Sequence, residues 1–184
     1  MAASDFLTTE VWTKSGLVTY YIFFVIELST REVQIAGMTP NPDGRFMVQM
    51  ARNLTDCQNG FLTGKKILLR DRDKKYCQQF DLILSAAGVE AKPLPAQSPN
   101  LNAYAERLVL SLKSECLNRL VFFGEASLRR ALAEFMEHYH AESNHQSLDN
   151  ELISPLNQAE EERGVIQRKQ RLGGMFNYYY RIAA

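Results

Sequence analysis

The run Ile67-Leu68-Leu69-Arg70 ends in Asp71, Arg72 and Asp73. A short apolar strand that delivers carboxylates at its end must pair them, expose them to solvent or use them. Two more acids are placed to join Asp71. Asp5 stands beside Phe6 in a β-compatible N-terminal segment, and Glu106 has the small or apolar neighbours Ala103, Ala105 and Leu108. Between Asp71 and Glu106 lie 34 residues, room for a helix, a short strand and a loop that brings the chain back to the same sheet edge. Three oxygen donors without cysteine or histidine partners suit Mg2+ or Mn2+ rather than zinc. Like charges in close array raise one another's pKa, so such a cluster stays ionised only around cations. Two ions roughly 3.5–4 Å apart activate an attacking hydroxyl and steady the leaving oxygen of a phosphodiester. Taken singly, each of these acids is more often a solvated or paired surface residue, so composition and spacing alone leave the function open.

The elements that must position these acids follow from patterning. Residues 3–12 are β-compatible and end at the turn Lys14-Ser15-Gly16. Val18 to Leu28 is a long aromatic and β-branched run of the kind found in central strands. A third strand is predicted over Glu32 to Thr39. The turn Pro40-Asn41-Pro42-Asp43-Gly44 follows it, with Asp43 placed to cap a helix. Phe46, Met47, Met50 and Leu54 recur at helical spacing up to Asn59-Gly60. Lys66 to Arg70 is the fourth strand, and a helix with Phe80, Leu82, Ile83 and Leu84 inward runs to Gly88. Val89 to Leu94 is the fifth strand. After Pro93, Pro95 and Pro99 a helix can begin only at Asn100, and it carries Leu108, Leu112 and Cys116 on one face. A last helix spans about Ser127 to Tyr139, with Leu128, Leu132, Phe135 and Met136 inward. Three strands in hairpin succession, then alternating strands and helices, predict a mixed sheet covered by helices. In such a sheet the first and fourth strands can be neighbours, which would bring Asp5 to Asp71.

Composition narrows the class. With 184 residues, 46% of them apolar, the chain suits one globular domain with a tail. Residues 1–162 carry 16 Lys/Arg against 21 Asp/Glu, whereas residues 163–184 carry five Lys/Arg and no acid. A basic end of this kind is either a solvated block or a phosphate-seeking arm. Cys57, Cys77 and Cys116 lack C-x-x-C spacing and point to a reduced, intracellular protein without disulfides or a structural zinc site. The most apolar stretch, Leu17 to Leu28, contains Thr19 and Glu27 and is too short for a membrane span, so no membrane association is expected. The N-terminus lacks the basic and apolar regions of a signal peptide, which leaves the Asn53-Leu54-Thr55 sequon without weight.

Several segments together resemble a known family. Asp5-Phe6 opens the first strand, LLRDRDKKY is a strand ending in an Asp-Arg pair, SPNLNAYAERLVLSLKSE surrounds Glu106, and YHAESNHQSL precedes Pro155. Ser98-Pro99, Asn102, Ala103, Glu106, Leu112, Lys113 and Glu115 all stand in the family's order. From Asp5 to about Pro155 the chain resembles the integrase catalytic core of insertion-sequence transposases and retroviral integrases, the DDE group. The resemblance implies a ribonuclease-H-like α/β fold, with a mixed five-stranded sheet flanked by helices. It implies a core over 1–155 and a basic C-terminal extension over 156–184. Asp5, Asp71 and Glu106 would be the metal-binding and catalytic triad, holding Mg2+ or Mn2+, two ions in all. Asp73 is the competing second acid, set aside because Asp71 ends the apolar run directly.

The resemblance also implies DNA contacts at Lys113, two helical turns beyond Glu106, and at Asn102, which can equally cap its helix. Arg168, Lys169 and Arg171, near Tyr178-Tyr179-Tyr180, suit a sugar-phosphate backbone, although a small hairpin packed on the body would read the same way. His138, His140 and His145 are the chain's histidines; they read as capping the last core helix rather than as a zinc site. The expected activity is DNA integration or transposition by metal-dependent strand transfer, at the nucleoid in the cytoplasm. DNA is the expected partner, with a homo-oligomer or a companion helix-turn-helix subunit. Departures from the family pattern are Ser143 in place of a common Arg, Glu27 in place of a frequent Asp, and a start only four residues before Asp5, which points to a truncated copy. The alternatives are a core remnant that only binds DNA or a partner, and a nuclease of the same fold.

Overall fold

A computed structural model describes residues 1–94, 103–145, 148, 150–154 and 164–182. The chain divides into two compact units, 1–125 and 126–184. The domain boundary expected at 155/156 lies outside the described residues.

The first unit is built on a long hairpin. β1 (Ala2–Thr13) and β2 (Gly16–Glu27) pair antiparallel from Ala2↔Glu27 to Thr13↔Gly16. The turn closes through Gly16, whose φ of 105° is a backbone conformation that a side chain would strain. Ile22 to Ile26 of β2 are buried without a break, so this strand is covered on both faces, as its unalternating apolar run requires. β3 (Val33–Thr39) pairs antiparallel with β2. Asp43 then starts α1 (Gly44–Leu54) by accepting the Phe46 amide at 2.8 Å. Met47, Met50, Ala51 and Leu54 form its buried face.

β4 (Ile67–Arg70), α2 (Gln78–Ala86) and β5 (Glu90–Pro93) complete the parallel half of the sheet. The strand order is β3-β2-β1-β4-β5, so the first and fourth strands are neighbours, as the sequence predicts. On α2 the buried residues are Phe80 and Leu84, while Leu82 is 60% exposed, correcting its expected inward position. Residues 80, 82, 83 and 84 cannot share one stripe at 3.6 residues per turn, and the pair four apart wins the core.

α3 (Ala103–Ser111) continues into a π turn over Leu112–Cys116 and a 3-10 turn over Leu117–Arg119. Leu108, Leu112 and Cys116 are buried, matching the predicted face. β6 (Phe122–Phe123), which the sequence does not announce, adds parallel to the far end of β1 through Val11↔Phe122 and Trp12↔Phe123. Trp12 also faces Leu17 across the hairpin, and Trp12, Leu17 and Phe123 are each at least half exposed.

The second unit contains most of α4 (Gly124–Ala141) and a hairpin of β7 (Val165–Arg171) and β8 (Phe176–Ile182). Leu128, Leu132, Phe135 and Met136 of α4 are buried, as expected. Phe176 sets its ring edge-on to Phe135 at 5.8 Å and stacks on His138 at 4.6 Å. Among the described residues no helix is long and apolar enough to cross a membrane.

Candidate active site

β1 and β4 run parallel with Ala2↔Leu68, Ala3↔Leu69 and Ser4↔Arg70 in register. Asp5 and Asp71 are therefore the next residue on each strand, the point at which β4 ends and the edge of β1 opens. Among the described residues, β1 finds its next strand partner on that side at Val11, where β6 joins. Asp5 is half-buried, and its Oδ1 accepts the Phe6 amide at 2.7 Å. Asp71 is also half-buried, and its Oδ1 accepts the Asp73 amide at 3.2 Å.

Beneath the two acids lies a buried polar pair that sequence reading missed. The Tyr76 hydroxyl is 3.1 Å from Ser4 Oγ, which in turn donates to the Leu69 carbonyl at 3.4 Å. Tyr76 also packs edge-on against Phe6, Phe23 and Phe80. This ties the segment after Asp71 back to the residue before Asp5. A serine inside the otherwise apolar start of a central strand was the available signal, since a buried hydroxyl needs a partner.

Burial dominates the electrostatics of this strand end. Burial is the largest cause pushing the Asp71 carboxyl above its ordinary pKa; the Asp73 amide opposes it, the Asp73 charge adds to it, and Lys75 and Arg70 oppose it. Burial likewise raises the Tyr76 phenol; the Ser4 hydrogen bond acts the other way, and the charges of Asp71 and Asp5 add to the rise. Both carboxylates thus act on one phenol. Asp73 behaves differently. Burial pushes it up, but its hydrogen bonds from the Lys75 ammonium and amide outweigh that and hold it below the usual range. Lys75 is itself held over Phe6 at 5.2 Å and Tyr21 at 5.3 Å, and Arg70 pairs with Asp81 at 2.8 Å.

Glu106 lies in the first turn of α3 and is exposed, while its neighbours Ala105 and Leu108 are buried. α3 packs against β1. Two residues before Glu106, Tyr104 receives the Arg31 guanidinium 3.5 Å above its ring, which fixes the start of the helix to the turn between β2 and β3. Among the described residues no group of three His, Cys, Asp or Glu side chains is close enough to hold a metal ion. The structure therefore brings Asp5 and Asp71 to adjoining strand positions and leaves Glu106 outside a ready three-acid cluster. Asp5 and Asp71, on adjoining strand positions, are hard-oxygen donors of the type that Mg2+ or Mn2+ takes.

The expected DNA contacts fall differently. Asn102 lies outside the described residues. Lys113 is half-buried in the π turn. Arg168 is exposed on β7. Lys169 lies 3.0 Å from Glu142. Arg171 is buried and grips Glu142 through Nε and Nη2 at 2.9 and 2.8 Å, and Glu137 through Nη1. The Glu142 side chain is 1% exposed. Burial raises its pKa, but hydrogen bonds from Arg171, Lys169 and His138 prevail and hold it at about 2. Arg171 thus serves to join the hairpin to α4. His145 bonds the Tyr139 carbonyl at 2.8 Å, at the end of that helix.

Comparison with known proteins finds similarity in one segment and in the fold. Residues 87–151 match the integrase core domain family model. No curated protein matches the chain. In fold it is similar to the HTLV-2 integrase catalytic core domain in complex with magnesium, in dimeric form. There the TM-score is 0.53 at 10% identity, covering 83% of this chain and 90% of that one. The catalytic core domain of BIV integrase gives a TM-score of 0.54 at 12% identity, covering 76% and 82% respectively. The catalytic domain of Mos1 mariner transposase gives 0.51 at 16%, covering 73% and 68%. The chain's own mixed sheet flanked by helices is the ribonuclease-H-like fold of these cores. Over residues 87–151 the chain thus matches the integrase core domain model, and in fold it is similar to retroviral integrase and mariner transposase catalytic cores.

Proposed function

We propose that the chain carries out divalent-metal-dependent DNA strand transfer, with Asp5 and Asp71 as the paired metal-holding carboxylates and Glu106 as the third acid. The observation that carries this reading is the Ser4↔Arg70 register, which makes Asp5 and Asp71 the next pair at an opened strand edge. When bound, Mg2+ or Mn2+ would supply charge stabilisation at the attacking and departing oxygens of an in-line displacement. The chain's own residues do the rest. Asp5 and Asp71 hold their carboxylates at one level of the sheet, the Tyr76 and Ser4 pair keeps the two strand ends in register, and Arg168 meets the backbone of the nucleic acid. In the reaction a DNA 3′-hydroxyl attacks a target phosphorus. A new P–O bond forms as the bond to the departing 3′-oxygen breaks, one proton leaving the attacking hydroxyl and one joining the departing oxygen. No covalent protein intermediate is required.

This reading requires Glu106 to approach the pair when metal and DNA load. A binding module without chemistry is the second reading, favoured by the exposed position of Glu106. The HTLV-2 core in dimeric and trimeric forms supports a homo-oligomer; a companion helix-turn-helix subunit and a cytoplasmic, nucleoid location complete the proposal. The test is Mg2+-dependent joining of a labelled duplex by wild type, Asp71→Asn and Glu106→Gln. Joined product from wild type alone supports strand transfer. Cleavage without joining supports a nuclease, and equal inertness with retained DNA binding supports the module.

A further inference from the structure

Four bases stand in the six residues from Arg70 to Lys75, and the fold treats them in two ways. Arg70 faces inward, paired with Asp81 and lying 4.9 Å from the Tyr76 ring. Lys75 is half-buried and paired with Asp73. Arg72 and Lys74, between them, are exposed, and among the described residues neither is ion-paired with an acid. Arg72 is nonetheless held in place, because its Nε donates to the Leu94 carbonyl at 3.1 Å. That bond uses the inner edge of the guanidinium, and its Nη groups have no partner among the described residues.

Local charge makes the arrangement informative. Asp5 and Asp71 together repel a phosphodiester, while the Arg70–Asp81 and Lys75–Asp73 pairs are neutral. Within this segment Arg72 and Lys74 are the bases not engaged by an acid among the described residues, and they lie one and three residues beyond Asp71. A planar guanidinium anchored at Nε is suited to meet phosphate oxygens with its free donors. We propose that Arg72 and Lys74 form a phosphate clamp just past the end of β4, next to Asp71, where they seat the DNA backbone. The inference rests on the DNA strand-transfer reading above, and deepens it by naming what holds the substrate against two carboxylates.

The experiment is a titration of the full chain against a fluorescently labelled DNA duplex of arbitrary sequence, over about 50 to 200 mM salt. Wild type is compared with Arg72→Gln/Lys74→Gln and with Lys14→Gln, an exposed lysine in the β1–β2 turn. Each lost phosphate contact lowers the slope of log affinity against log salt by about 0.9. The double variant is expected to lose roughly 1.8 from the slope and at least about threefold in affinity at the low-salt end, alike for unrelated sequences. Lys14→Gln should match wild type. If wild type binds and the double variant binds equally well with the same slope, the clamp is wrong while the DNA reading stands. If wild type fails to bind even at the lowest salt, the DNA reading falls and takes the clamp with it.

Discussion

Asp71 is where burial and charge work against the fold. Its carboxyl is raised above the ordinary value chiefly by burial, so the unfolded chain releases this proton more readily than the folded one. The sign follows directly. Below the unfolded value the group has no effect, and as pH rises from there through the folded value the folded state loses stability, a loss that persists at neutral pH. Asp71→Asn should accordingly raise the melting temperature of metal-free protein at pH 7. Mg2+ should reverse the ranking. A ligand at a hundred times its dissociation constant stabilises by about 2.7 kcal/mol, so Mg2+ should raise the melting temperature of wild type and leave Asp71→Asn unmoved. A differential scanning experiment with and without Mg2+ checks both, and an identical Mg2+ response in the two proteins would remove Asp71 from the site. The position of Asp71 just past the end of β4 was legible because an apolar run stops at it. Ser4 and Tyr76 were not, since their bond joins residues 72 apart in sequence.

At the scale of elements, two joints carry the largest consequences. The first is the turn after α1, where a Cβ on Gly60 would stand 2.5 Å from the Asp56 carbonyl, 2.6 Å from the Asp56 nitrogen and 2.7 Å from the Leu54 carbonyl. Those are backbone atoms that cannot swing aside, so Gly60→Ala should cost about 1–3 kcal/mol, read from urea unfolding. The second joint is Arg171 against Glu142 and Glu137. Removing one partner of a buried pair leaves a charge stranded at a cost of about 3–5 kcal/mol. Lys169 and His138 still face Glu142, so Arg171→Met should fall at the lower end of that range. Glu142 also sets an acid limit. Its folded value of about 2 lies below the ordinary 4.5, so its contribution is complete above pH 4.5 and is lost as pH falls toward 2. Circular dichroism between those pH values should show wild type losing stability more steeply than Glu142→Gln.

The core elements were readable because their patterns were long. The long apolar run of β2, the Asp43 cap after its turn and the periodic buried face of α4 were all visible in the sequence. β6 has two residues and no pattern to read. The β7–β8 hairpin could be read only as an alternative to a phosphate-seeking arm, because its first strand, VIQRKQR, is dominated by polar residues that pairing organises. The position of Glu106 was beyond reach for another reason. Helical spacing says which side of α3 it occupies, but not how far along β1 the helix lies, and that is set in part by Arg31 stacking on Tyr104.

For the whole molecule, the uneven charge was visible in the sequence, but its meaning changed on folding. Two of the basic residues at the C-terminal end, Lys169 and Arg171, face Glu142 within their own unit. A count of charges alone therefore overstates what that end offers to a polyanion. The single tryptophan, Trp12, has a comparable bearing on measurement. At 50% exposed beside Leu17 and Phe123, its indole is already half in water in the native state. Its emission will consequently shift little when the chain melts, so a weak or mistimed fluorescence signal in unfolding experiments reports the location of the chromophore and not a stable intermediate.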